Sequence, residues 1–149
     1  PQRGGGPLHR GSDEFMSLKQ FEKFYWPGLK KSTEAGIKLG YIVSHFFEGV
    51  WDKRLEYLLE FPKGKILFHC ERTDIFRAKE VLGNHCCIQG GVPPAILTAG
   101  SPQDVEEYCK KLIKVVGKRG GYILSCGSSI DCAKPENIKA MVNSVKKYG

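Results

Sequence analysis

The sequence has no apolar run near the roughly 18 residues that a membrane-spanning helix needs, and no secretory leader opens it. Its six cysteines include no CxxC pair, so reduced thiols are expected. We therefore expect a cytoplasmic protein with no membrane contact. The sequence also begins without methionine, and both a complete product and a segment of a longer protein stay open.

The arrangement of charge argues against a nucleic-acid partner, although the net charge is +7. Lysines recur along predicted helices, as at Lys30–Lys31 and Lys110–Lys111, and acids such as Glu34 and Glu106 lie among them. No stretch combines aromatic and basic residues in the way that single-strand-binding surfaces do. We interpret the charges as solvated helix faces and expect no nucleic-acid binding.

A short apolar run, a loop of small residues and an amphipathic helix follow one another at the C-terminal end of the chain. The run Tyr122–Leu124 predicts a buried strand, and Pro135 opens the helix after a polar loop. The same order occurs three more times upstream, with helices that start near Asp52, Thr73 and Ser101. The four predicted strands are Leu39–Phe46, Lys65–His69, Cys86–Ile88 and Tyr122–Leu124.

Four strand–helix units predict an α/β fold with a parallel sheet, since crossovers between parallel strands are right-handed. Four units are half of a (βα)8 barrel and cannot close by themselves, so the missing half or a second copy should cover the open edges. The alternative is a flavodoxin-like doubly wound sheet, but Ser44–Trp51 is too bulky for its phosphate loop.

A helix precedes the first predicted strand, because Ser17 and Gln20 form a capping box before an apolar-periodic segment. The residues before it are glycine-rich and basic. We expect residues 1–13 to be a flexible arm and residues 14–149 to be the half-barrel.

Polar side chains at the carboxyl ends of the strands are the candidate site, because loops at that end of a barrel converge on one mouth. Glu48 follows an apolar run, so its carboxylate must be paired or have a raised pKa. His69 and Glu71 share parity and can point into one mouth, although a local ion pair between Glu71 and Arg72 is the alternative. Cys70 should face the helices, and His45 reads as a hydrogen-bonded interior histidine.

Six segments between about Ser12 and Gly149 are informative in their order and spacing: Asp13–Ser17, Tyr25–Pro27, Arg54–Leu58, Cys87–Pro93, Gly121–Leu124 and Pro135–Val142. Together they resemble the uroporphyrinogen decarboxylase superfamily, which includes cobalamin-dependent methyltransferases. The resemblance implies the C-terminal half of a (βα)8 barrel.

The resemblance implies a carboxy-lyase that decarboxylates the acetate arms of a porphyrinogen, with a pyrrole ring as the electron sink and no cofactor. The implied partner is a tetrapyrrole-like molecule. On this reading the catalytic residues are Glu48 and His69. The substrate-binding residues are Gln89, Arg54, Arg72 and Ser128.

The runner-up implied by the resemblance is corrinoid-dependent methyl transfer assisted by zinc. The positions that correspond to the zinc ligands of that branch fall near Phe46, Glu48 and Ser128, and only Glu48 can bind a metal. A rebuilt zinc set of Glu48, His69 and Cys126 is the remaining metal hypothesis. The histidine that the decarboxylase branch places near Ser128 is also absent. A third reading is a non-catalytic half-barrel that self-associates as a homodimer.

Overall fold

The computed structural model describes residues 2–149 of the chain, with side chains from residue 6 onward. One sheet of five parallel strands forms its centre, in the order of the sequence. The strands are β1 (Gln2–Pro7), β2 (Ile42–Phe47), β3 (Ile66–Cys70), β4 (Cys87–Val92) and β5 (Tyr122–Cys126).

The order of the strands decides between the two predicted architectures. Because each strand pairs with the next one in sequence, right-handed crossovers put all the connecting segments on one face of the sheet. A doubly wound sheet instead reverses its order at a switch point. The predicted parallel half-barrel is therefore confirmed.

Six α-helices and three short helical segments connect and flank the strands. Among the described residues, no helix has the length and hydropathy needed to cross a membrane. The α-helices are α1 (Leu18–Gln20), α2 (Trp26–Lys38), α3 (Ile75–Leu82), α4 (Pro94–Ala99), α5 (Pro102–Val115) and α6 (Pro135–Tyr148). The short segments are the 3-10 helices His9–Gly11 and Leu55–Glu60 and the π-helical turn Phe21–Tyr25.

The N-terminal residues do not form the expected flexible arm. Strand β1 pairs in parallel with β2, and the Leu8 amide continues the ladder by donating to the Phe46 carbonyl at 2.9 Å. A glycine-rich segment can add to a sheet edge through its backbone groups alone, which side-chain periodicity does not reveal. The sheet thus has five strands rather than four, and a strand precedes the first helix. Residue 1 lies outside the described residues.

The helix-facing side of the sheet carries the hydrophobic core. Phe47, Phe68 and Ile88 are fully buried there, and Cys70 joins them as predicted. His45 is also buried on this side, where its Nε2 lies 2.9 Å from Thr33 Oγ1 of α2, which agrees with its reading as an interior histidine.

The opposite side of the sheet, which we call the inner face, corresponds to the interior of a closed barrel. Phe46, His69, Gln89 and Ile123 form one row across it, because each is in register with the next. Ile42 and Ile123 are 42% and 44% exposed. The inner face consists of Ile42, Ser44, Phe46, Leu67, His69, Cys87, Gln89, Ile123 and Ser125.

Two local predictions were wrong. The segment predicted as an α-helix over 52–61 forms the 3-10 helix Leu55–Glu60, in which the buried Leu55 and Leu58, three residues apart, lie on one side. The predicted cap Thr73 instead accepts a hydrogen bond from the Trp51 amide, and Asp74 caps α3.

Candidate functional site

The carboxyl ends of all five strands lie at one edge of the sheet, because the strands are parallel and adjacent. We call this edge the mouth. The polar side chains that the strand ends and their loops supply to it are His9, Glu48, Glu71, Arg72 and Ser128.

His69 lies just below the mouth on the inner face. Its ring centroid is 4.8 Å from that of Phe46, and Gln89 is its register neighbour on β4. Burial lowers the pKa of His69, and a hydrogen bond with the Cys126 backbone opposes this only in part. The imidazole is therefore neutral at pH 7. Within the described chain, its Nε2 atom is buried and has no hydrogen-bond partner.

Glu48 directly follows β2, and its half-exposed carboxylate faces the N-terminal segment. Its Oε2 lies 3.6 Å from His9 Nδ1, so the two side chains form an ion pair when the imidazole is protonated. The Trp51 indole donates a 3.0 Å hydrogen bond to the Glu48 carbonyl and fixes the backbone there. The expected partner of Glu48 therefore comes from a residue that sequence reasoning placed in a flexible arm.

Glu71 and Arg72 connect the ends of β2 and β3. Glu71 Oε2 accepts a 2.7 Å hydrogen bond from the Gly49 amide, and the Arg72 amide donates to the Gly49 carbonyl at 3.3 Å. Arg72 Nε is 3.9 Å from the same Glu71 oxygen. The local ion pair weighed from the sequence is present, but the backbone of Gly49 is the closer partner.

Arg72 also forms a two-pronged ion pair with Glu14. Its Nη1 and Nη2 atoms donate to the two carboxylate oxygens of Glu14 at 3.0 and 2.7 Å. The side chains remain 59% and 48% exposed. This arrangement uses the geometry by which arginine recognises carboxylates in general. Sequence reasoning missed Glu14, although the adjacent acids Asp13 and Glu14 were visible.

Arg54 does not reach the mouth, and its predicted role in substrate binding is not supported by its position. The residue is 2% exposed, and its guanidinium pairs with Asp13, donates to the Met16 carbonyl at 2.7 Å and packs over the Phe21 ring. Arg54 thus fixes the segment 12–16, which we call the strap, to the start of the 3-10 helix Leu55–Glu60. A helix-like position next to apolar residues gave no sign of this burial.

A cavity of about 480 Å³ opens at the mouth between the loops that follow β3 and β4. Its walls combine apolar side chains, including Phe76 and Tyr108, with polar residues, which are Glu71, Arg72, Thr73, Asp74 and Ser128. Two of the predicted substrate-binding residues, Arg72 and Ser128, are therefore brought to one cavity. Gln89 is apart from it, on the inner face.

Gly90 and Gly91 are part of β4 rather than of a free loop. Gly90 has a φ of +121°, and a Cβ there would lie 2.5 Å from the Cys70 carbonyl oxygen. Gly91 has a φ of +97°, and its Cβ would lie 2.5 Å from Ile75 Cδ1. The Tyr122 hydroxyl donates to the Gly90 carbonyl at 2.9 Å. These glycines permit the close approach of β4 to the neighbouring strand and to α3.

The predicted metal set is not assembled. Among the described residues, no three histidine, cysteine, aspartate or glutamate side chains converge as metal ligands would. The Cys126 side chain belongs to the core on the helix side, whereas His69 is on the inner face and Glu48 faces His9. The three predicted donors therefore do not fit a zinc ion in this arrangement, and we derive no step through one.

Comparison with known proteins gives one family and one fold. The family model described as Uroporphyrinogen decarboxylase (URO-D) matches residues 9–148. A uroporphyrinogen decarboxylase of Coxiella burnetii is 31% identical over 77 residues, which are 51% of this chain and 21% of the relative. One from Pseudoalteromonas atlantica is 33% identical over 76 residues, which are 50% of this chain and 21% of the relative.

A solved structure extends the likeness over almost the whole chain. A methyltransferase from Methanosarcina mazei superposes with a TM-score of 0.75 at 18% identity. The superposition covers 97% of this chain and 42% of the methyltransferase chain. At that identity the likeness concerns the fold alone. The chain thus corresponds to less than half of that structure, and its matches span about a fifth of the curated relatives.

Proposed function

The chain belongs to the uroporphyrinogen decarboxylase family, and we propose that it supplies the C-terminal half of a barrel that decarboxylates the acetate arms of a porphyrinogen. The observation that supports this most directly is the mouth itself. Arg72 and Ser128 line one cavity there, and the neutral His69 lies on the inner face of the sheet, outside the cavity lining. A carboxylate-rich substrate needs a cation and donors in that position.

The proposed reaction balances without a cofactor. A proton adds to a pyrrole carbon, the bond to the carboxylate breaks with its electrons flowing into the ring, and carbon dioxide leaves. The methylene carbon then takes up a proton while the ring releases the first one. The net change is the loss of carbon dioxide and the gain of one proton, so the site must supply proton transfer and hold the other carboxylates.

We assign these tasks among the residues at the mouth. Glu48 is the proposed proton-transfer group, because its carboxylate is half-exposed and lies 3.6 Å from the His9 imidazole. His69, which burial keeps neutral, is the proposed hydrogen-bonding partner of the ring. Arg72 and Ser128 are the proposed carboxylate ligands, and Gln89 a further polar contact on the inner face.

A complementary half is the proposed protein partner. The inner face exposes Ile42 and Ile123, and the sheet ends in β1 and β5, each paired on one side only in the described structure. A partner that supplies the remaining strands of the barrel would cover both edges and this face. Light scattering on the purified chain separates the sources of that half: a dimer supports a second copy, and a stable monomer supports a separate or preceding N-terminal half.

Anaerobic incubation with uroporphyrinogen tests the activity, with coproporphyrinogen measured by chromatography after oxidation. We expect product from the chain mixed with the N-terminal half of the Coxiella burnetii relative, and at least about a hundredfold less with Glu48→Gln. Glu56→Gln, an exposed helix position paired with Arg77, is the matched control and should leave the rate unchanged. Absence of product from every mixture that forms a folded complex would overturn the proposal.

Corrinoid-linked methyl transfer is the second candidate, because the solved neighbour of this fold is called a methyltransferase. The separation of Glu48, His69 and Cys126 weakens it in its zinc-dependent form. Turnover of methylcobalamin with coenzyme M in the same mixtures, with zinc added and with a chelator, decides between the two reactions.

A further inference from the structure

We propose that Glu14 occupies the carboxylate-binding position of Arg72 in the free chain, and that a carboxylate of the ligand displaces it. Only the identity of the ligand, a tetrapyrrole carboxylate, rests on the proposed function. The exchange itself is argued from the geometry of the strap and the mouth.

The first step is the fit between Arg72 and Glu14. Both Nη atoms of Arg72 donate to the two oxygens of one carboxylate, so Glu14 occupies the end-on fork of the guanidinium. The remaining Nε atom faces Glu71, which the Gly49 amide holds in place. Arg72 can therefore accept one further carboxylate, and Glu14 fills that position.

The second step is the location of this position. Arg72 lines the cavity at the mouth together with Ser128, and its guanidinium holds Glu14, so a ligand carboxylate in the cavity lies beside the residue that makes this ion pair. The Glu14 carboxylate lies at the end of β2, since a Cβ built on Gly49 would come within 3.3 Å of its Oε2 atom. An internal carboxylate thus lies at the edge where a substrate carboxylate is expected.

The third step is the ease of exchange. The Arg72–Glu14 pair is about half exposed, and exposed ion pairs contribute little net free energy. The backbone beside Glu14 is held separately, because Asp13 pairs with the buried Arg54, accepts from the Lys53 amide at 3.0 Å and donates its own amide to the Val50 carbonyl at 2.7 Å. The Glu14 side chain can therefore swing away while the strap stays in place.

Substitutions of Glu14 and of Arg72 should change the affinity for the ligand in opposite directions. Removing the charge of Glu14 should strengthen ligand binding by about 1.4- to 5-fold, the range expected when one exposed pair no longer competes. Replacing Arg72 by lysine, which keeps the charge but loses the fork, should weaken binding about tenfold. Glu56→Gln, which breaks the exposed pair with Arg77, a pair outside the cavity lining, should leave the affinity for the ligand unchanged.

The test measures binding and arginine protection on the same full chain. Uroporphyrin and propane-1,2,3-tricarboxylate are the two probes, and they are titrated against the unaltered chain, Glu14→Gln, Arg72→Lys and Glu56→Gln. Porphyrin fluorescence reports the first probe. Modification of Arg72 by phenylglyoxal, read by mass spectrometry, reports both. We expect faster modification of Arg72 in Glu14→Gln without ligand, and restored protection when either probe is added.

The outcomes separate this inference from the proposed function. Protection by both probes, stronger in Glu14→Gln, supports both. Protection by the tricarboxylate alone supports the exchange at Arg72 and overturns a tetrapyrrole as the ligand. Uroporphyrin binding with one affinity in all four proteins overturns the exchange and leaves the tetrapyrrole proposal standing. Absence of protection by either probe in every variant overturns both.

Discussion

Two arginine–carboxylate pairs hold the strap to the segments that follow β2 and β3, and consecutive acids of the strap form them. Asp13 pairs with Arg54, and the two side chains are 9% and 1% exposed. Glu14 pairs with Arg72, and those side chains are 48% and 59% exposed. The chemistry of the two pairs is the same, so their difference is one of environment.

The environment decides what each pair can do. Breaking a buried pair leaves an uncompensated charge away from water, which is strongly unfavourable. Breaking an exposed pair returns both groups to water at little cost. Arg54 is therefore suited to hold the strap permanently, and Arg72 is suited to exchange one carboxylate for another. The predictions below test this division, in order of decreasing effect on stability.

The largest effect is expected for Asp13→Asn. The substitution leaves the buried guanidinium of Arg54 without its counter-charge, and we expect a loss of about 3–5 kcal/mol in the free energy of unfolding. Urea denaturation followed by circular dichroism measures it. Glu14→Gln is the matched control one residue along. Equal losses in the two variants would show that burial does not distinguish the pairs.

How far the sequence predicts this molecule depends on the kind of signal. The strands β2, β3 and β5 and the helices α5 and α6 follow from apolar periodicity and capping residues, as in Ser101 before Pro102. Strand β1 was missed because its pairing uses the backbone of glycines. Helix α4, Pro94–Ala99, was missed because six residues between a strand and a longer helix are too few for a periodic pattern.

The site was predicted less completely, for reasons that the two arginines illustrate. Strand ends are predictable, so Glu48, His69 and Arg72 were found near the mouth. Whether an arginine faces the mouth or the core depends on what folds over it, and the strap lies about 40 residues before Arg54 in sequence. Local pattern carries no information about such a contact.

A second substitution examines the place where the strap meets the mouth. Gly49 has a φ of +85°, and a Cβ there would lie 2.9 Å from Ser12 Cβ. We expect Gly49→Ala to cost about 2–3 kcal/mol, from backbone strain plus displacement of the strap. Gly40 is the matched control, because it has the same φ of +85° and nothing within 4 Å of a built Cβ. If Gly40→Ala costs as much, strain alone explains the loss and the strap does not pack closely at Gly49.

The pH dependence of stability gives an intermediate effect that does not involve the strap. Burial lowers the pKa of His45 and of His69, so the folded chain binds fewer protons than the unfolded chain just below the ordinary histidine value. This stability is fully present above a pH of about 6.5 and is lost as the pH falls toward the folded pKa values.

Urea midpoints measured from pH 8 to pH 5 check this expectation. Each histidine can contribute a slope of at most about 1.4 kcal/mol per pH unit. His45→Gln should remove the contribution of His45 to the slope. This imidazole faces the core, where it contacts Thr33. An unchanged slope in His45→Gln would contradict the burial of a neutral imidazole.

The smallest effect on stability is expected for Glu14→Gln, and this variant separates the behaviour of the exposed pair from that of the buried pair. Because the Arg72–Glu14 pair is exposed, its loss should lower the free energy of unfolding by less than about 1 kcal/mol, and 0.5 M salt should remove most of that difference. The loss in Asp13→Asn should persist in salt, since the surrounding ions cannot reach a pair whose side chains are almost fully buried. A salt-independent loss of several kcal/mol in Glu14→Gln would mean that Glu14 is a fixed part of the strap. In that case no ligand carboxylate could displace it from Arg72 at small cost.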